Sequence, residues 1–76
     1  MADMQEIEER KRIGQRLREI RQDKNLSMQD LANIADIELS QIFRIETAKI
    51  NPKVSTLLVI ARALNVNAAE FFKDKV

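Results

Sequence analysis

Residues 27–46 constrain the fold of this chain of 76 residues more than any other part of its sequence. Leu31 and Ala35 lie four residues apart, which is a spacing of side chains on one face of a helix. Ile42 and Ile45, three residues apart, indicate a second helical face. Only a few residues around Asp36 are left in which the chain can reverse direction. The pattern predicts two short helices joined by a tight turn rather than two independent helices.

The remainder of the chain has the composition of helices. One glycine, one proline and hardly any clusters of β-branched residues argue against strands. Residues 4–23 carry an apolar stripe at Ile13, Leu17 and Ile20, which Ile7 would extend by two turns. Asn25 follows, and asparagine tolerates the left-handed conformation in which many helices end.

Capping and helix-breaking residues predict where the later helices begin and end. Ser27 is a good N-cap for the second helix, and Asp30 stands three residues on, where the acid of a capping box belongs. Asn51-Pro52 breaks the chain, because a residue before proline avoids the helical region. Ser55 is expected to cap the fourth helix. The later helices are therefore expected over residues 38–47, 55–64 and 68–73.

These elements predict an all-α fold in which five helices surround one small core. Leu57, Ile60, Ala61 and Leu64 of the fourth helix are expected to face that core. We expect one domain, because a chain of this length supports a single core. Its parts are the whole domain over residues 1–76, a core over 13–72, a helix-turn-helix unit over 27–47 and an N-terminal helical extension over 1–12.

Composition excludes several classes of function. The absence of Cys and His removes disulfides, thiolate nucleophiles, the usual zinc ligands and the commonest general base, so no enzyme and no cofactor are expected. The longest apolar run, residues 57–61, is far shorter than the roughly 20 residues of a membrane helix. The acidic N-terminus has no signal-peptide pattern. These features predict a cytoplasmic protein without membrane contact.

The net charge of +1 is a weak argument for a nucleic-acid partner, but the charges are segregated along the chain. Residues 3–9 carry only acidic charges, whereas residues 10–24 carry seven basic residues against two acidic ones. Such segregation can produce a basic face on a nearly neutral protein. The alternative is a solvated helix whose charges pair with one another along its surface.

Five sequence blocks occur in a fixed order between Ile13 and Phe72. They are IGQRLREIR in the first helix, LS-x-x-x-LA in the second, I-x-R-I-E at the end of the third, then N-P, and LLVIARALNV in the fourth. In order and spacing, these blocks resemble the lambda-repressor-like, or XRE-type, helix-turn-helix family of DNA-binding proteins.

The resemblance implies that the third helix enters the major groove of double-stranded DNA. It implies that the N-terminus of the second helix and the loop after the third contact phosphates. Carried over by position, the base-contacting residues are Glu38, Leu39, Ser40, Phe43 and Arg44. The backbone-contacting residues are Ser27, Met28, Gln29, Thr47, Lys49, Asn51 and Lys53. Arg21 and Glu46 match an ion pair that ties the first helix to the third.

The chain departs from the family pattern at several of these positions. Asp36 and Ala48 replace glycines, and alanine tolerates a positive φ poorly, so the loop at Ala48 is expected to be reshaped. Met28 cannot donate a hydrogen bond, which leaves that contact to Gln29 or to backbone amides. Leu39 and Phe43 are apolar and could contact thymine methyl groups or a protein partner.

Three of these residues have a possible role besides contact with a base. Arg44 could read guanine, since bidentate contact with guanine is the commonest specific contact, or it could pair with a neighbouring acid or a phosphate. Glu38 could accept a hydrogen bond from cytosine, or it could interact with the helix dipole. Ser40 could contact DNA or face solvent.

Surplus apolar residues near the C-terminus predict an association surface. The family habitually dimerises, so we expect a homodimer through the fourth and fifth helices. The residues proposed for its surface are Val59, Val66 and Phe72, with Val76 as an addition. The Met4–Ile7 segment is a second candidate surface.

Together these features predict a transcriptional regulator that binds paired half-sites as a dimer, with no small-molecule ligand. The alternative is a protein-interaction module that has the same fold but does not bind DNA specifically. Phage repressors, restriction–modification controllers and antitoxins all reach this size, and the sequence does not choose among them. It also leaves open the operator, the regulated genes and the direction of regulation.

Overall fold

The helices of this protein follow one another with short connections, as the computed structural model describes for residues 3–73. Their bounds are α1 (Met4–Asp23), α2 (Met28–Ala35), α3 (Leu39–Glu46) and α4 (Val54–Leu64), followed by a 3-10 helix at Ala68–Phe72. The predicted all-α fold is confirmed. Among these helices, none combines the length and the hydrophobicity that crossing a membrane requires.

Side-chain caps explain where some of the helices begin. Ser27 Oγ accepts a hydrogen bond from the amide of Asp30, and Asp30 Oδ2 accepts one from the amide of Ser27, both at 2.9 Å. The predicted capping box is therefore confirmed, and the bond from the Ser27 amide lowers the pKa of Asp30. The prediction that Ser55 caps α4 is wrong. That helix begins one residue earlier, at Val54, and its N-cap is Lys53.

The four described α-helices all end in the same way, in a Schellman motif. In each case an amide two or three residues beyond the helix bonds to a carbonyl five residues earlier, as Leu26 does to Arg21 at 3.1 Å. One residue in each motif takes the left-handed conformation; these are Asn25, Asp36, Ala48 and Asn65. The prediction for Asn25 is confirmed.

The core lies where α3 packs on α1 and α2, and where α4 packs on α2. Leu17, Ile42, Ile45 and Phe71 are almost wholly buried in it. The predicted inward residues of α4, which are Leu57, Ile60, Ala61 and Leu64, are also buried. The suggestion that the α1 stripe continues to Ile7 is wrong. Ile7 is 36% exposed, because the first turns of α1 extend past the core.

The last element differs from its prediction as an α-helix over residues 68–73. It is a 3-10 helix that ends at Phe72, and Lys73 has extended backbone angles. Asn67 caps its start by accepting a hydrogen bond from the amide of Ala69 at 2.9 Å. Phe71 is fully buried while Phe72 is half exposed, so the short element anchors the C-terminal segment through one aromatic ring.

Candidate nucleic-acid interface

One face of α3 is turned to solvent over its whole length. Ile42, Ile45 and Glu46 point into the protein and are buried. The exposed positions are Glu38 at the N-cap and Leu39, Ser40, Phe43 and Arg44 within the helix. All five predicted base-contacting residues therefore lie on the accessible side of the same short helix.

Arg44 offers the largest number of hydrogen-bond donors on this face. Within residues 3–73 its guanidinium makes no hydrogen bond and no ion pair, so all of its donors are free for a ligand. Glu38 stands at the N-cap of α3, and its carboxylate makes no capping hydrogen bond. Its position at the positive end of the helix dipole is nevertheless favourable for a carboxylate.

The loop after α3 presents the second group of predicted contact residues. Thr47, Lys49, Asn51 and Lys53 are all exposed. The Thr47 hydroxyl donates to the carbonyl of Phe43 at 2.7 Å. Since a hydroxyl has a single hydrogen, Thr47 would have to give up this bond before it could donate to a phosphate. The two lysines keep their ammonium groups available.

Ala48 fixes the geometry of this loop. Its φ of 61° lies in the left-handed region, in spite of the steric cost of its Cβ. The amide of Ala48 bonds to the carbonyl of Ile45 at 3.2 Å, and that of Lys49 bonds to the carbonyl of Arg44 at 2.8 Å. The expectation of a reshaped loop is therefore wrong. The helix closes as it would with glycine, and Lys49 is held directly after it.

The start of α2 is less open to phosphate than the loop. Met28 is partly buried and packs against the core, and the Gln29 amide group donates to Asn33 Oδ1 at 2.9 Å. The Ser27 hydroxyl accepts from Asp30 and keeps its own hydrogen available. The Asp30 carboxylate, however, already occupies this helix end, so the local field is less favourable for a second anion.

The charges on this surface divide it into two parts. Asp36 and Glu38 both line the groove at the turn between α2 and α3. Arg44, Lys49 and Lys53 lie at and beyond the C-terminal end of α3. The positive charge of this surface is therefore concentrated on its C-terminal side. Over residues 3–73 there is no cluster of carboxylate side chains that could hold a metal ion.

A buried ion pair fixes α3 to α1. Arg21 Nε lies 2.7 Å from Glu46 Oε2, and Arg21 Nη2 lies 2.9 Å from Glu46 Oε1. The two side chains are only 7% and 1% exposed. The bidentate bond with Glu46 raises the pKa of Arg21 above its usual value, against the opposing effect of burial. The structure thus contains the predicted Arg21–Glu46 pair, and it orients the end of α3.

Gly14, which is not among the predicted site residues, permits this arrangement. A Cβ at this position would overlap the carbonyl oxygen of Ile45 and would lie 2.9 Å from that of Glu46. Only a residue without a side chain lets α1 approach the end of α3 so closely. A signal was present, because this is the one glycine of the chain and it stands inside a predicted helix, where glycine is unfavourable.

The predicted association residues lie on α4 and on the segment that follows it. Val59 is 41% exposed and lines a groove with Ile34 and Arg62. Val66 is partly buried and lines a neighbouring groove that also includes Arg62. Phe72 is 48% exposed on the 3-10 helix. Val76 lies outside the described residues.

Comparison with known families identifies this arrangement. The model of the helix-turn-helix family HTH_3 matches residues 17–71, which include the buried pair and the whole exposed face of α3. The chain belongs to this helix-turn-helix family. The predicted resemblance to lambda-repressor-like proteins is thereby confirmed.

Relatives of this helix-turn-helix protein are named as regulators. The chain is 36% identical over 61 residues to the HTH-type transcriptional regulator PuuR of Escherichia coli K12. This match covers 80% of this chain and 33% of that protein. It is 35% identical over 57 residues to the immunity repressor protein of Bacillus phage phi105, covering 75% and 40%. The chain thus spans about a third of the length of the first relative.

A solved structure of similar size has the same fold. The restriction-modification controller protein C.AhdI from Aeromonas hydrophila superimposes with a TM-score of 0.81 at 33% sequence identity. The match covers 83% of this chain and 96% of that one. The two chains therefore share the helix-turn-helix fold over most of their lengths.

Proposed function

We propose that this protein binds duplex DNA and regulates transcription, and that residues 1–76 act as one DNA-binding domain. The observation that carries the proposal is the exposed face of α3, whose free Arg44 guanidinium stands on a helix held by a buried ion pair. A rigid support of this kind fixes the backbone from which Arg44 projects, so only the side chain has to be ordered on binding. Family membership and the regulators among the relatives support it.

In the proposed complex, α3 lies in the major groove. Arg44 donates two hydrogen bonds to guanine, because its planar fork matches the O6 and N7 acceptors. Leu39 and Phe43 contact thymine methyl groups. Lys49 and Lys53 bind phosphates, which hold the protein on DNA but carry no sequence information.

Selection of bound duplexes from a random pool tests this function and returns the site. On the selected duplex, Arg44→Ala is expected to cost about 1–3 kcal/mol of binding free energy and to relax preference at one base pair, with little recovery in Arg44→Lys. Lys49→Ala should instead weaken binding to all duplexes and flatten the salt dependence by about one unit of slope. A folded Arg44→Ala protein with unchanged affinity and preference would refute base reading.

A protein-interaction module is the second candidate, and the exposed apolar side chains of α3 favour it. Leu39 is 41% exposed and Phe43 is 46% exposed, on the face where polar residues would be expected to read DNA. The two functions differ in their response to salt. Phosphate contacts release counterions, so DNA binding falls steeply as salt rises. A wild-type protein that binds no duplex at low salt would make the interaction module the better hypothesis.

We further propose that the protein binds DNA as a homodimer with half-sites about one helical turn, roughly 34 Å, apart. The exposed Val59 beside Ile34 supports an interface that includes this groove between α2 and α4. Val59→Glu should shift the protein to monomer in sedimentation experiments, while Met4→Glu should not. The reverse result would move the interface to the start of α1.

A further inference from the structure

The first turns of α1 and the loop after α3 enclose a groove that none of the proposed contacts uses. Three carboxylates line it, those of Asp3, Glu6 and Glu9, together with Arg10 and Asn51. Asn51 belongs to the loop that is proposed to contact phosphate. The groove therefore continues the candidate DNA surface from this loop onto α1.

Arg10 is unusual within this groove. Its Nε is buried and has no hydrogen-bond partner, although buried polar atoms are nearly always paired. The neighbouring cations do have partners, since Lys11 pairs with Glu8 at 3.8 Å and Arg12 pairs with Glu9. Over residues 3–73, no hydrogen bond or ion pair holds the Arg10 guanidinium, even with carboxylates lining the same groove.

We propose that Arg10 binds a DNA phosphate beside the one that the loop at Asn51 contacts. This inference rests on the proposed function. The Nη groups of Arg10 are accessible and, over residues 3–73, have no partner, so they can donate charge-assisted hydrogen bonds to phosphate oxygens. Arg10 also supplies the only positive charge among the residues that line the groove. Without it, the groove would present only negative charge to the DNA backbone.

The test compares Arg10→Gln with Lys11→Gln on a duplex selected by the wild-type protein. Both changes remove one positive charge from adjacent positions of α1, but Lys11 does not line the groove. Arg10→Gln is expected to weaken binding about 10- to 100-fold at about 0.1 M salt, as for loss of one hydrogen bond to a charged group. The slope of log K against log salt should fall in magnitude by about 0.9. Lys11→Gln should change both far less.

Two further variants make the result specific. Arg10→Lys should keep the salt slope while losing part of the affinity, because the charge remains and the planar fork does not. Glu6→Gln should strengthen binding by about twofold, since it removes a negative charge from the same groove. The loss in Arg10→Gln should be equal on an unrelated duplex, because phosphates carry no sequence information.

The outcomes separate this inference from the function on which it rests. If the wild-type protein binds no duplex, the proposed function fails. If it binds and folded Arg10→Gln matches the wild type in affinity and salt slope, the role of Arg10 alone is overturned. Equal losses in Arg10→Gln and Lys11→Gln would also overturn it, because a general loss of charge would then explain the effect. Thermal melting of each variant shows whether the comparison is between folded proteins.

Discussion

Replacing Glu46 by glutamine should remove a large part of the stability of this domain. Glutamine keeps the shape and one oxygen of the side chain, but its amide group would face the N–H donors of Arg21. The Arg21 cation would then stay at 7% exposure without a counter-charge. Removing one member of a buried ion pair costs about 3–5 kcal/mol. A domain of this length is stable by only about 4–11 kcal/mol in total, at roughly 0.05–0.15 kcal/mol per residue.

Urea unfolding followed by circular dichroism measures this loss. The matched control is Glu70→Gln, because Glu70 also pairs with an arginine of α1, Arg16, at 3.1 Å, but both of those side chains are 30% exposed. Solvent screens that pair, so its loss should be much smaller. Replacing Arg21 by Met and Glu46 by Leu together should restore most of the stability, since no buried charge remains. A cost of Glu46→Gln no larger than that of Glu70→Gln would contradict this role of the buried pair.

Three more predictions concern the backbone and the caps. Gly14→Ala should destabilise the fold by at least about 2 kcal/mol, because the new methyl group would overlap backbone oxygens that can move only with the helix end that carries them. An unchanged melting temperature would contradict the close approach of α1 to α3. Ala48→Gly should stabilise the fold by about 0.5–1 kcal/mol, since relief of left-handed strain exceeds the entropy that glycine adds to the unfolded chain. A lower free energy of unfolding in urea would show that the strain is absent. The pKa of Asp30 is lowered in the folded protein, so its cap contributes stability above the unfolded-state pKa of about 4. This stability is lost as pH falls through the folded-state pKa. The difference in stability between wild type and Asp30→Asn should therefore shrink between about pH 6 and pH 3. A gap that stays constant over this range would refute the role of the carboxylate.

Local chemistry explains why so much of this fold was predictable from the sequence. The capping box at Ser27 and Asp30 and the left-handed Asn25 involve residues within a few positions of one another. The same holds for the apolar spacing of α4. Ser55 failed as a cap because serine is favourable both at an N-cap and in the first turn, and sequence alone does not choose between adjacent positions. The outward residues of α3 were expected from resemblance to a family, and the burial of Ile42 and Ile45 agrees with that expectation.

Contacts between distant segments were decided only by the tertiary structure. Periodicity alone could not place Arg21 within 2.7 Å of Glu46, which is 25 residues away, and that pairing was expected only from resemblance to a family. The lone glycine at position 14 does not show which element packs against it, and nothing in the sequence around Arg10 shows that α1 lies beside the loop at Asn51. Ala48 takes a conformation that its own side chain disfavours, because the packing of α3 and its closing hydrogen bonds outweigh a local cost of about 1–2 kcal/mol. Local propensity therefore determined the helices, while burial and long-range pairing determined which of their surfaces meet and which remain free for a partner.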